Sequence, residues 1–337
     1  MLENQCTTWP MPLVATVHVP VSGSKVLGST GKTAATLDAL KGQLAAFSAR
    51  MQKEGECQLQ LALFTEEQAA DNPDAVYPIN ALRNRGIQMA VTEARQIVGS
   101  LVILLLDIDF IVSEELTADL ATAAGWEALM RRLQAGTAVA LPAFETPYDV
   151  TGAWRLQSGA VEGGTAVAFQ AAAGGKRAAV DLFHNGSLLV FKEKESDFMF
   201  GPTQYRRWMV TDDFYPISFK LGHEPFILMA RALTPWYDER FTGYGCNKSP
   251  LLGCIFHWGG SFAVHPRGFV VHVPHERSPS FFAFRGDVEG RARRERELWE
   301  FYDQEVTKPL EAGRFLPVTS FPERCSAEEQ QPRREEL

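Results

Sequence analysis

One stretch constrains this chain more than any other: Leu101 to Phe110, which reads Leu-Val-Ile-Leu-Leu-Leu-Asp-Ile-Asp-Phe. Six apolar residues run without a break, and two carboxylates follow, separated by one isoleucine. A short apolar run of branched side chains predicts a strand buried on both faces, as in the parallel or mixed sheet of an α/β protein. Asp107 and Asp109 then fall at the strand's carboxyl end, where open α/β sheets hold their ligands. On an extended chain, side chains at i and i+2 share a face. Two carboxylates on one face repel unless a cation lies between them. Oxygen ligands favour Mg²⁺ or Mn²⁺ over zinc. The alternative is a capping and turn device, since aspartate suits both positions.

The rest of the chain is compatible with one large α/β domain or two ordinary ones. It has 337 residues, 45% of them hydrophobic and 22% charged, enough for a substantial core. A net charge of −8 argues against general nucleic-acid affinity. No apolar run reaches transmembrane length, and Met1 to Pro10 has no signal-peptide pattern. The five cysteines (Cys6, Cys57, Cys246, Cys254, Cys325) form neither a disulfide framework nor a paired zinc spacing. Cys246 and Cys254 could pair, but free, partly buried thiols are the expectation. Asn185-Gly-Ser and Asn247-Lys-Ser are glycosylation sequons that matter only in a secreted chain.

In chain order, Leu13 to Val21 predicts a first strand stopping at Pro20, followed by a Ser/Gly loop, a helix from about Thr33 to Lys53 and a strand over Gln58 to Phe64. Gly28-Ser-Thr-Gly-Lys-Thr33 is not a P-loop, because the required first glycine is replaced by Val26. Tyr77-Pro-Ile-Asn-Ala-Leu-Arg-Asn84 enters a helix running to about Val98, on which Asn80, Arg83 and Asn84 can share a face. An arginine there, aimed at the sheet's carboxyl edge, could hold a phosphate or carboxylate bidentately; otherwise it is an exposed helix arginine. Ser113-Glu-Glu starts a helix that continues through Trp126 to about Leu133, and Thr137 to Leu141 is a strand ending in Pro142-Ala-Phe-Glu145. Residues 150–180, rich in Ala and Gly, are expected to form a long loop insertion. Short strand-like or helical pieces follow near Leu188 to Lys192 and Gln204 to Val210.

Three compact clusters come next. His223-Glu-Pro-Phe-Ile-Leu228 is the first. In the second, Tyr237 to Lys248, Gly243 and Gly245 flank Tyr244, letting backbone approach a ligand beside a stacking ring. The third, Gly268-Phe-Val-Val-His-Val-Pro-His275, ends a strand with two of the chain's seven histidines, which raises the prospect of a ligand there. Asp287 to Gly313 reads as an amphipathic helix with a solvated basic face. The polar tail, residues 319–337, is expected to be disordered.

The order of these clusters resembles glycosyltransferase family 49, which includes the glucuronyltransferase domain of LARGE-type enzymes and a β-1,4-glucuronyltransferase. The likeness is carried by Tyr77-Pro-Ile-Asn-Ala-Leu-Arg-Asn, Leu106-Asp-Ile-Asp-Phe, Leu141-Pro-Ala-Phe-Glu-Thr, Glu224-Pro-Phe, Tyr237-Asp-Glu-Arg-Phe-Thr-Gly-Tyr-Gly-Cys-Asn-Lys and Val271-His-Val-Pro-His. It implies a GT-A fold, an α/β architecture with a central mixed, mostly parallel sheet flanked by helices. One such domain would span 11–318 after an N-terminal extension over 1–10.

The resemblance also implies inverting, metal-dependent transfer of a sugar, glucuronate or xylose, from a UDP donor to a glycan or glycoprotein acceptor. Asp107, Asp109 and His272 match the metal site, for Mn²⁺ or Mg²⁺. Asn80, Arg83, Asn84, Lys248 and His275 fall to the donor and its diphosphate charge. Gly243, Tyr244, Gly245 and Asn247 form a loop at donor or acceptor. Glu224 is the first choice for the base and Asp238 the second, with Asp238 alternatively bracing the loop and Glu145 structural. Family members are commonly anchored in the Golgi by an N-terminal membrane segment that this sequence lacks, so a fragment, a processed form and a soluble homologue all stay open. Rival readings are a catalytically inactive glycan-binding or partner subunit, and a HAD-type phosphatase. The phosphatase motif asks for Thr or Val where Ile111 stands.

Overall fold

A computed structural model of the chain describes residues 1–22, 25–27, 33–54, 57–67, 77–94, 101–147, 160–193, 201–243, 245–275 and 288–321. The opening unit is β-α-β. Strand β1 (Pro12–Ser22) runs parallel to β4 (Gln58–Glu67) from Pro12↔Gln58 to Val21↔Glu67, and α2 (Leu37–Glu54) connects them. Pro20 lies within β1 rather than ending it, paired with Glu66. On the other side of β1 only Val21 and Ser22 pair, with β2 (Lys25–Leu27), so the missing Pro20 N–H can face that side without breaking a ladder. Helix α2 starts later than Thr33 because β3 (Thr33–Thr36) pairs with β2. Gly28 to Lys32 of the P-loop-like stretch lie outside the described residues.

Residues 1–10 are no loose extension. Helix α1 (Leu2–Thr8) is tied to the start of β4 by a Cys6–Cys57 disulfide, and Cys246 and Cys254 are free and buried. Free thiols at Cys246 and Cys254 match the expectation, whereas the Cys6–Cys57 bridge was not anticipated, because a separation of 51 residues hides the pairing from spacing arguments. Closing a loop of that length contributes about 2–4 kcal/mol of stability.

Strand β5 (Val102–Leu105) is the last of five in the order β10-β12-β7-β11-β5. It pairs antiparallel with β11 (Phe226–Ala230) and is half-buried apart from Ile103. The prediction of a strand covered on both faces is corrected: among the described residues it is an edge, with Ile103 in the core and Val102, Leu104 and Leu105 half-buried against it. Next to it β11 pairs with β7 (Thr137–Leu141), which runs parallel to β12 (Ser261–Val264); β10 (Tyr215–Ile217) closes the far side. A third sheet takes β6 (Phe110–Val112), β13 (Val270–His272), β8 (Ala143–Glu145) and β9 (Leu189–Val190) in that order. The architecture is mixed α/β with flanking helices, as expected. Among the described pairs, however, only β1–β4, β7–β12 and β8–β13 are parallel, and antiparallel pairs outnumber them.

Two helical expectations also change. The helix after Ser113 divides into α4 (Glu114–Leu120) and α5 (Ala123–Gln134), because the Thr122 hydroxyl accepts from Gly125 N at 3.0 Å and caps a new start. The Ala/Gly-rich region from 160 onward is no loop but α6 (Ala160–His184), with 148–159 outside the described residues. Alanine is the best helix former, and Ala168, Ala171, Ala172 and Ala179 bury completely, letting the helix pack closely. Gly175 breaks the helix at φ 67°, where an added Cβ would meet the Glu115 carboxylate at 2.6 Å. Among the described residues no helix is long and apolar enough to cross a membrane.

The core lies between the sheets and is aromatic at its centre. Phe110 meets Phe226 at 4.3 Å and Phe191 at 4.9 Å between ring centroids. Phe144, Trp208 and Phe269 form a second knot, with α7 (Tyr205–Val210) supplying the tryptophan. At the C-terminus, α9 (Val288–Tyr302), a π-helical turn over Asp303–Thr307 and α10 (Lys308–Glu311) continue one another. Tyr302, Val306, Leu310 and Phe315 pack against Phe241, Cys246 and Cys254 in a separate small core. Residues 319–321 are held rather than loose. Ser320 N donates to Glu239 Oε2 at 3.1 Å, and Phe321 stacks on Trp236 at 5.1 Å. The remainder of the tail, 322–337, lies outside the described residues.

Candidate active site

The chain leaves β5 at Leu105 and enters β6 at Phe110, so Asp107 and Asp109 flank a tight reversal closed by Phe110 N donating to Asp107 O at 3.2 Å. Ile108 at its apex is exposed. The extended i, i+2 geometry is therefore replaced by a turn, and the two carboxylates meet different partners. Strand pairing explains why: Val273 N donates to Asp109 O at 2.8 Å, so β13 captures the chain directly after the reversal.

Asp107 sits between two cations. Arg83 Nη2 donates to its Oδ1 at 2.8 Å and Lys248 Nζ to its Oδ2 at 2.6 Å. Burial pushes the Asp107 pKa up, but Lys248 and Arg83 outweigh that and the net direction is down. Burial likewise pulls Arg83 down while Asp107 raises it, and the net direction is up. Arg83 also donates to Asn80 Oδ1 at 3.1 Å and Asn247 Oδ1 at 2.8 Å, and it lies 5.0 Å from the Tyr237 ring centroid. Burial pushes the Tyr237 phenol up to about 12, so it stays neutral beneath the guanidinium.

Asp109 faces two imidazoles. His272 Nε2 and His275 Nε2 each lie 3.3 Å from its Oδ2. Burial raises its pKa, and the hydrogen bonds from His272 and His275 reverse that and hold it well below the usual carboxylate range. His272 ends β13, and its ring packs on Phe110 and Phe191 at 5.2 and 5.4 Å, which fixes its orientation. The ligand atoms of Asp109, His272 and His275 lie within 4.8 Å of one another. Asp109 Oδ1 is buried with no hydrogen-bond partner among the described residues, an atom in need of a cation or a donor. These residues fit a divalent metal. One carboxylate with two imidazoles widens the choice beyond Mg²⁺ to Mn²⁺ and the nitrogen-loving ions.

The loop from Tyr237 to Lys248 is held from both sides. Gly243 and Gly245 take positive φ (65° and 90°), which side-chain-bearing residues rarely adopt, and Gly243 N donates to Tyr77 O at 2.8 Å. Asn80 donates to the carbonyls of Asp238 and Asn247 at 2.8 and 2.9 Å, and Asn84 to the carbonyl of Tyr237 at 2.9 Å and the Glu239 carboxylate Oε1 at 2.8 Å. Both asparagines are fully buried, so their amides brace the loop from within. Asn247 Nδ2 donates to Gly243 O at 3.1 Å, which commits this sequon's amide to the loop. Tyr244 lies outside the described residues.

The two proposed bases differ sharply in geometry. The Asp238 carboxylate is buried against Arg240 at 2.8 Å, and Arg240 reaches on to Glu305 at 2.7 Å. That arrangement matches the bracing role. Glu224, nine-tenths buried, accepts from Ser249 Oγ at 2.9 Å, and its charge reaches Arg83. Ser249 opens α8 (Ser249–His257) directly after Lys248, so one backbone corner carries both a partner of Asp107 and a partner of Glu224. Glu145 accepts from Lys192 N at 2.9 Å, a structural use. Ser249 and Tyr237 were missed as contributors, although a Lys-Ser-Pro run is a helix-start signal. Nothing in the polar N-terminus pointed to Gln5, whose amide reaches the Asp107 turn.

Beside Glu224, His223 is buried and its pKa is pushed down to about 3, first by burial and then by Lys220. The unfolded chain takes a proton here below about pH 6.5, and the folded chain does not. Stability must therefore fall as pH drops from 6.5 towards 3, by about 1.4 kcal/mol per unit. Urea midpoints measured from pH 7.5 to 5 should show His223→Gln lacking this share of the slope. Parallel curves for the two proteins would contradict the assignment.

Several known proteins are similar to this chain. A glycosyltransferase-like protein, gnt14, of Dictyostelium discoideum is 27% identical over 221 residues, 65% of this chain and 30% of that protein. The xylosyl- and glucuronyltransferase LARGE2 of Rattus norvegicus is 29% identical over 210 residues, 62% of this chain and 26% of that protein. The chain thus spans under a third of the length of these curated relatives. A solved structure of GalNAc-T7 with UDP, GalNAc and Mn²⁺ superposes at a TM-score of 0.32, 13% identical, covering 85% of this chain and 51% of that one. The model of the family described as glycosyl-transferase for dystroglycan matches residues 1–283, which takes in both aspartates, both histidines and Glu224, and the chain belongs to that family.

Proposed function

We propose that this chain is the catalytic region of a metal-dependent, inverting glycosyltransferase that moves glucuronate from a UDP donor to a hydroxyl of a glycan acceptor. The observation that carries the reading is the Asp109–His272–His275 cluster set one turn away from the Arg83–Asp107–Lys248 ion pairs. The LARGE2 relative is named for xylosyl and glucuronyl transfer, which supports reading the sugar as one of those two.

Asp109, His272 and His275 would hold the cation. When bound, it supplies neutralising charge for the diphosphate that leaves. Arg83 and Lys248 add positive charge from the protein, kept in place by Asp107 and ready to share their donors with phosphate oxygens or with the uronate carboxylate. Glu224 Oε2 is the proton acceptor. As the acceptor oxygen bonds to the anomeric carbon, the bond from that carbon to the phosphate oxygen breaks. UDP leaves with the electron pair, and the hydroxyl proton passes to Glu224. Ser249 donating to Oε1 at 2.9 Å restrains rotation of the carboxylate and leaves Oε2 as the oxygen to take the proton.

Glucuronate is favoured over xylose because a half-buried arginine beside a second cation suits a donor with one more carboxylate. UDP release measured across a panel of UDP-sugars with Mn²⁺ and glycan acceptors should be largest with UDP-glucuronate. Release from UDP-xylose alone would overturn the sugar assignment, and release from none of the panel would overturn the transferase reading.

A further inference from the structure

We infer that Gln5, on the N-terminal helix α1, is a positioning residue for the turn carrying Asp107 and Asp109, and through that turn for cation capture by Asp109, His272 and His275. The inference rests on reading that cluster as a metal site. Gln5 is buried in the interface between α1 and the turn. Its Nε2 donates to Asp107 O at 2.8 Å and to Phe110 O at 3.1 Å, so one amide group bridges the two ends of the reversal. Within the turn, among the described residues, the backbone closure is the 3.2 Å bond from Phe110 N to Asp107 O. Val273 N, at 2.8 Å, holds the Asp109 carbonyl from the β13 side. Asp109 is therefore fixed by β13 on one side and by Gln5 at both flanking carbonyls.

The helix that presents Gln5 is itself anchored. Cys6, the next residue, is joined to Cys57, and Thr8 Oγ1 accepts from Val112 N at 3.3 Å further along β6. A primary amide is suited to this position because it offers two hydrogens on one nitrogen. A carboxylate or thioether of the same length offers none at neutral pH. Metal ligands must sit within a few tenths of an ångström of their bonding positions, and groups that orient ligands typically carry a 10–100-fold effect on metal affinity. Gln5 touches no ligand atom, so its effect runs through the backbone.

The test uses Gln5→Met and Gln5→Glu, two shape-conserving variants without the donors, so that a folding failure in one leaves the other. Thr8→Val serves as a control that loosens the same helix away from the turn. Mn²⁺ dissociation constants are measured by the electron paramagnetic resonance signal of free Mn²⁺, with thermal midpoints recorded beside them. Both Gln5 variants should bind Mn²⁺ at least about tenfold more weakly. Thr8→Val should keep its Mn²⁺ affinity within about twofold of the starting protein while its thermal midpoint falls. Unchanged Mn²⁺ affinity in the Gln5 variants overturns the inference, as does an equal loss in Thr8→Val, which would mark a general structural effect. Failure of the unsubstituted chain to bind Mn²⁺ at all would instead bring down the metal reading on which the inference stands.

Discussion

Asp109→Ala should abolish glycosyl transfer, with a fall of at least about a thousandfold, and should leave the fold intact. The carboxylate is the one anionic member of the cluster and the point where His272 and His275 converge, so its loss removes the centre of the cation site. Several kcal/mol of transition-state stabilisation at about 1.36 kcal/mol per decade gives that magnitude. The fold should survive because Asp109 is held through its backbone carbonyl by Val273 and the turn by Gln5, neither of which needs the side chain. Removing the carboxylate also removes a buried group whose Oδ1 has no hydrogen-bond partner among the described residues, a cost to folding in the absence of metal. Transfer rates and a circular-dichroism melt on the purified variant decide the point. Undiminished transfer by a folded Asp109→Ala protein would remove the cluster from the mechanism.

The second large effect is expected at Glu224. Glu224→Gln keeps the size of the side chain, and its amide oxygen can still accept from Ser249 Oγ at the 2.9 Å contact, so local structure should persist. What disappears is an atom able to take the acceptor's proton. General-base catalysis contributes about 10²–10⁴-fold, and turnover should fall within that range while UDP affinity stays close to that of the parent protein. A variant that instead loses UDP binding with kcat preserved would place Glu224 in the donor site. Asp238→Asn supplies the contrast. With Arg240 bonded to both carboxylate oxygens and to Glu305, that change should register mainly as lost stability.

Much of the site was legible in the sequence because its chemistry is local. An apolar run ending in Asp-x-Asp, a His-x-x-His strand end and a Gly-x-Gly loop each announce themselves within about ten residues. The structure does bring Asp107, Asp109, Arg83, Lys248, His272 and His275 into one region. What was not legible is how the partners sort. An i, i+2 argument assumes extended chain, and the hydrogen bond from Phe110 N to Asp107 O replaces it with a turn. Asp107 therefore goes to the cations and Asp109 to the imidazoles. Contacts between distant parts of the chain were likewise invisible: Cys6 with Cys57, Gln5 with the turn and Glu239 with Ser320.

The Ala/Gly run after residue 160 misled because glycine pairs read as loop. Its alanines, placed to bury at helical spacing, make α6 instead. The strand and helix positions in the β1–α2–β4 unit were close, since periodicity and length carry that information directly. Sheet order depends on contacts among β5, β7, β11 and β12, separated by long stretches of chain, and no local pattern encodes it.

The C-terminal segment adds a feature that lies beyond the matched span of residues 1–283. Tyr302, Val306 and Leu310 pack under Phe241 and Cys246, and Glu305 completes the Asp238–Arg240 pair. The loop that carries Asn247 and Lys248 to Asp107 is thus supported from beneath by helices outside that span.

Asp109, His272 and His275 are proposed to form a cation site serving a nucleoside-diphosphate sugar. Titration calorimetry with Mn²⁺, first alone and then with UDP present, tests it most directly. One equivalent of Mn²⁺ should bind, more tightly when UDP is present and reciprocally strengthening UDP, with both effects missing in Asp109→Ala. Absence of Mn²⁺ binding in either condition, or binding that survives in Asp109→Ala, would contradict it.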